Sequence, residues 1–146
     1  MTSSVAEPRV VRLAILESYG VEWSWTTFAR DVVQNFFDAA ADFDDVTIDV
    51  DEAKGTVRVA GRATFALDYL RYIGATSKQG QRAAGGFGEG FKICALVLVR
   101  DYRVDVRAGS GAWAIRPMLL PMKLGREVGY ELTRRDDAPS ESWVSI

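Results

Sequence analysis

Apolar residues along this chain recur every three or four positions in some stretches and every second position in others. Val10 to Tyr19 reads as a short amphipathic helix closed by Gly20. Ser24 is a natural N-cap for a second helix, from Trp25 to about Ala41. In that helix Phe28, Val32, Phe36 and Ala39 make one apolar stripe. Val46 to Val50 alternates with period two and predicts a strand. Thr56 to Val59 is its expected partner, joined through Asp51 to Gly55 as a hairpin. A short helix fits Leu67 to Ile73, and the polar, small-residue stretch from Gly74 to Gly86 reads as a loop or lid. The apolar run from Phe91 to Val99 predicts a helix reaching about Arg100. Four strand-like segments follow: Tyr102 to Val106, Trp113 to Arg116, Tyr130 to Thr133 and Trp143 to Ile146. Gly109-Ser110-Gly111 is the expected turn between the first two. This order predicts an α+β fold: a two-layer α/β sandwich with helices on one face of a mostly antiparallel mixed sheet.

Composition narrows the classes. With 146 residues and 48% hydrophobic content, residues 1–146 are expected to form a single domain with a real core. The final segment alternates up to Ile146, which suggests a chain cut from something longer. A net charge of −2 gives no broad attraction to nucleic acid or anionic lipid. Nucleic acid is therefore expected as an indirect partner at most, and no membrane is expected. The longest apolar run, Ile93 to Val99, is too short to span a bilayer. No secretory signal precedes the first element, so a cytoplasmic location is expected. Cys94 is the one cysteine and lies among apolar neighbours, which fits a buried, inert thiol. The chain has no histidine, which excludes His-based acid–base chemistry and a Ser-His-Asp triad.

Two segments carry candidate chemistry. Gly85, Gly86, Gly88 and Gly90 fall within six residues, at the start of an apolar helical run. Clustered glycines let a ligand approach the backbone, and a helix opening behind them offers free N–H groups and a positive dipole end. That combination suits a phosphate chain. Upstream, Asp31, Asn35 and Asp38 share one helical face at i, i+4 and i+7. An asparagine oxygen is a hard ligand suited to Mg2+, and a carboxylate one turn earlier can orient an attacking water.

Arg30-Asp31-Val32-Val33-Gln34-Asn35-Phe36-Phe37-Asp38-Ala39 resembles the N-box helix of the GHKL ATPases, the superfamily with the Bergerat fold. Gly74-Ala75-Thr76-Ser77-Lys78 looks like the lid-proximal segment of the MutL and MORC branches, and Gly85 to Lys92 resembles the glycine-rich box. The three motifs occur in the family's order. The resemblance implies ATP and Mg2+ as cofactors, with Asn35 as the metal ligand and Asp31 as the water-activating, catalytic residue. It implies that Asp38, Ala39 and Gly61 line the nucleotide pocket. Thr76, Ser77 and Lys78 would border the lid, while Gly85, Gly86, Phe87, Gly88, Gly90, Phe91 and Lys92 would surround the phosphates. Closure of the lid would then drive a switch in a homodimer or larger assembly.

Three positions depart from the family pattern. Val59 stands where the family's adenine-reading aspartate stands, and Ala63 replaces a glycine of the same box. A valine packs on a base but accepts no hydrogen bond from its amine, which weakens discrimination for adenine. Asp68 is a nearby carboxylate that could substitute. Asp31 is one methylene shorter than the usual glutamate, consistent with slow hydrolysis. The alternative reading is a degenerate domain without nucleotide chemistry that serves as a protein-interaction module. A phosphotransferase of the histidine-kinase type would have to act in trans, since the chain has no phosphoacceptor histidine.

Overall fold

The computed structural model describes residues 7–64 and 89–146. Seven strands form one sheet: β1 (Arg9–Leu16), β2 (Val46–Asp51), β3 (Thr56–Gly61), β4 (Arg107–Ser110), β5 (Trp113–Met122), β6 (Gly125–Arg134) and β7 (Ser142–Ser145). Their spatial order is β1-β6-β5-β4-β7-β3-β2, and every pairing among the described residues is antiparallel. Two α-helices accompany them, α1 (Trp25–Ala39) and α2 (Glu89–Val97). The expected two-layer α/β sandwich with a mixed sheet is therefore corrected. Strand dominates the described residues, and two short helices accompany an antiparallel seven-stranded sheet.

The largest local correction is the first element. Val10 to Tyr19 is not a helix; its first part is β1, paired with β6 from Arg9↔Leu132 to Leu16↔Glu127. Val11, Leu13 and Ile15 satisfy a period of two as well as Val11 and Ile15 satisfy a period of four. The β6 backbone decides between them. The register slips between Arg12 and Ile15, where Ala14 takes φ +54°. Glu127, itself buried, stabilises that bulge. Its Oε2 accepts the Ala14 N–H at 3.1 Å while Oε1 pairs with Arg12.

Other elements follow the sequence closely. Ser24 caps α1, its Oγ accepting the Thr27 N–H at 3.2 Å. Phe28, Val32 and Phe36 are buried as one stripe, whereas Ala39 is exposed in the last turn. β2 and β3 form the expected hairpin, in register from Val46↔Gly61 to Asp51↔Thr56. The expected strand from Tyr102 to Val106 does not form, whereas β5 and β6 run longer than expected. The Gly109-Ser110 pair lies inside β4, and the chain turns at Gly111, which has φ +56°. Pro117 and Pro121 lie in β5 beyond the reach of β4, which pairs only with Trp113 to Ile115. Their missing N–H groups therefore leave that ladder intact.

One apolar cluster joins Phe28, Val32 and Phe36 of α1, Phe91, Cys94 and Leu96 of α2, and Val59, Ile115, Val128 and Val144 of the sheet. After α2 the chain passes through a π-helical turn, Leu98–Tyr102, that ends at Arg103 with φ +54°. Among the described residues no helix is long and apolar enough to cross a membrane. The expected helix at Leu67 to Ile73, Asp68, and the expected lid from Gly74 to Gly86 lie outside the described residues.

Candidate functional site

The site is a contact between two helices. α1 carries Asp31 and Asn35 on adjacent turns, so their side chains meet: Nδ2 of Asn35 donates to Oδ2 of Asp31 at 3.3 Å. Opposite them, α2 begins at Glu89. Gly90 lies directly against the Asp31 carboxylate. A Cβ at Gly90 would fall 2.6 Å from Oδ2 and 3.0 Å from Oδ1, so the Asp31 carboxylate would have to shift aside. One turn later Cys94 also faces Asp31, with Sγ donating to Oδ2 at 3.9 Å. Gly90 and Cys94, four apart, thus make the side of α2 that receives the polar face of α1.

Burial across this seam is uneven: Asp31 and Gly90 are half-buried. Asn35 is 3% exposed and Cys94 1%. Burial first, and the nearby Asp31 carboxylate second, hold the Cys94 thiol far above its ordinary value, so it stays protonated and unreactive. The expectation of an inert Cys94 holds. Its part in the polar seam was not foreseen, although the Gly90–Cys94 spacing opposite Asp31–Asn35 carried the signal. Tyr130 of β6 was missed as well. Its ring packs 6.4 Å from that of Phe91, and its buried hydroxyl has no hydrogen-bond partner among the described residues. Burial, with the Cys94 thiol as a lesser cause, raises this phenol far above its usual range.

The remaining candidate residues divide. Asp38 and Ala39 sit exposed in the last turn of α1, beyond the seam. Gly61 ends β3 against Phe36, whose Cδ1 would be 3.2 Å from an added Cβ; the position serves close packing of α1. Phe91 is a core residue, 2% exposed, in contact with Tyr130. Lys92 is buried too, at 1% exposed. Two residues after Gly90 it is turned about 200° round the helix, away from Asp31. Thr76, Ser77, Lys78, Gly85, Gly86, Phe87 and Gly88 lie outside the described residues. Val59 is buried beside Phe28 and Val32, in the wall of an apolar cavity of about 190 Å³.

Chemically, the seam offers one carboxylate, one amide and the backbone at the start of a helix. With Nδ2 of Asn35 engaged by Asp31, Oδ1 is the amide atom suited to a cation. Among the described residues no group of three or more His, Cys, Asp or Glu side chains could hold a metal. A cation here would therefore take Oδ1 of Asn35 and complete its shell from phosphate oxygens and water, an arrangement Mg2+ favours.

No family model, curated protein or solved structure matches the chain.

Proposed function

We propose that the α1–α2 seam is the ligand-facing part of a GHKL-type, Mg2+-dependent ATP-binding domain with slow or conditional hydrolysis. In this reading nucleotide occupancy is coupled to a homodimer or a larger protein assembly. The observation that carries the reading is the fit of the Asp31 carboxylate against Gly90. Burying the Asn35 amide beside a half-buried carboxylate between two helices is costly, and a pair of well-packed apolar side chains would join the helices at lower cost. Polarity kept at such a place, against the first described residues of α2, suits a bound phosphate and its cation. Bound Mg2+ would neutralise charge on the phosphates. Asp31 would orient the attacking water, and its contacts with Asn35 and Cys94 restrain it, in keeping with slow turnover.

A thermal-shift series tests this. ATP with Mg2+ should raise the melting temperature, since a ligand bound only by the native state stabilises it, and Asn35→Ala should abolish the rise. Asp31→Asn should reduce turnover while sparing affinity. Equal loss of both would remove Asp31 from the catalytic role. GTP in the same series reads base choice, because Val59 can supply only apolar contact.

A second reading has its own support. Val59 and its neighbours Phe28, Val32 and Val144 line a fully apolar cavity, which gives a purine amine no acceptor there. A protein-interaction module without nucleotide chemistry would need none. The absence of any shift with ATP, ADP or a non-hydrolysable analogue would favour that module.

A further inference from the structure

The sheet ends in two edges, β1 and β2, and they are built differently. β1 is interrupted by its bulge at Ala14 and carries Arg9 and Arg12. β2 pairs with β3 in unbroken register and contains neither proline nor lysine. Among the described residues no strand covers its outer side. Such an edge presents a row of unpaired N–H and C=O groups. Its side chains alternate between two faces. Ile48 and Val50 lie on the α1 face beside Val59 and Val57, yet they stay 49% and 64% exposed. Ile48 and Val57 also line the cavity of about 190 Å³ beneath α1, so the described residues leave this face partly unfilled. Thr47, Asp49 and Asp51 take the opposite face. Residues 42–52 hold six carboxylates and no cation. Asp45 pairs with Arg62 and Asp51 with Lys54. Arg58, across from Asp49, is taken by Glu141, which leaves Asp49 without an ion pair among the described residues.

We propose that β2 receives, as an added strand, an extended cationic segment of a partner protein in which apolar residues alternate with lysine or arginine. Main-chain hydrogen bonds would join the two strands. The apolar side chains of the segment would lie beside Ile48 and Val50, and its cations beside Asp49. Charge decides the occupant. Two copies of β2 would bring their own carboxylates together, and like charges across a strand pair destabilise it. The same carboxylates attract a cationic strand. Ala29 and Val33 of α1 border this face. Each stands two residues from Asp31 and is turned about 200° from it round the helix. The docking edge and the seam therefore lie on different sides of α1, and either can fail without the other.

Titration calorimetry on the whole chain with three synthetic hexapeptides tests the assignment. The first alternates lysine with valine and isoleucine. The second has glutamate in place of lysine. The third is the lysine peptide with all its backbone nitrogens methylated, which removes the donors a ladder needs. The lysine peptide should bind saturably at one site, about tenfold or more tighter than either of the others. Asp49→Lys should weaken it by about the same factor. Val50→Lys should do so too, and it replaces a side chain exposed enough that the fold should tolerate the change. Three results would overturn the proposal: no saturable binding of the lysine peptide, equal affinity for the glutamate or methylated peptide, or parental affinity in a folded Asp49→Lys or Val50→Lys. Self-association of the free chain that Val50→Lys abolishes would assign the edge to a second copy and overturn it as well.

Discussion

α1 rests on two different surfaces. Along Phe28 and Val32 it meets Val59 and Val144 of the sheet, an entirely apolar contact that even leaves a cavity of about 190 Å³. Along Asp31 and Asn35 it meets Gly90 and Cys94 of α2, a contact made of a carboxylate, an amide and a thiol. The first surface needs only area and fit. The second needs particular atoms at particular places, and one added methyl group at Gly90 would collide with it. The apolar surface accounts for α1 staying on the sheet. The polar one contributes little to that, so its chemistry asks for another reason, and ligand binding is the one proposed.

Substitutions on the two surfaces should separate them. Phe28→Ala, on the apolar side, should cost about 3–5 kcal/mol in urea unfolding; a cost near zero would mean α1 is held mainly by its polar contact. Gly90→Ala should cost about 1 kcal/mol at most, because the Asp31 carboxylate it displaces ends a flexible side chain. That cost should shrink in an Asp31→Ala background, and additive effects would break the assigned contact. Tyr130→Phe should be neutral or stabilise by about 1 kcal/mol, because the buried hydroxyl it removes has no partner among the described residues. A clear loss of stability would point to a hydrogen bond at that hydroxyl.

The smallest expected effect is one of pH. Cys94 and Tyr130 keep their protons in the fold, whereas their ordinary values are 9.0 and 10.0. The native state therefore binds more protons than the unfolded chain in alkali. Stability should be intact below pH 9.0 and fall as pH rises past it, by at most about 1.4 kcal/mol per pH unit for each group. Cys94→Ala should move the onset of that fall toward the tyrosine value. An onset unchanged by the substitution would show that the thiol contributes nothing.

Local chemistry was the most legible part of the fold. Ser24 announced the start of α1, and the alternation of Val46, Ile48 and Val50 announced the hairpin, because cap and turn signals act within a few residues. β1 was misread because Val10, Val11, Leu13, Ile15 and Leu16 fit either period, and its strand state is imposed by β6, more than a hundred residues away. The turn expected at Gly109 failed for a related reason. Its glycine answers to Trp143, whose Nε1 would sit 2.7 Å from an added Cβ, so the small residue makes room across strands and does not bend the chain. At the site, the shared face of Asp31 and Asn35 could be read from spacing alone. That Gly90 lies against it, and that Lys92 points elsewhere, depends on how two helices cross, which no local pattern encodes.

The anchor at the other end of the helix pair has a mechanical meaning. Arg100 grips three carbonyls of the connector before α1, the Tyr102 hydroxyl donates to the Trp23 carbonyl at 3.1 Å, and Trp25 lies 4.4 Å from the Tyr102 ring. The beginning of α1 is thus bolted to the segment that follows α2. A pull on that segment would therefore be felt at the first turn of α1, through hydrogen bonds and a ring contact rather than through the core.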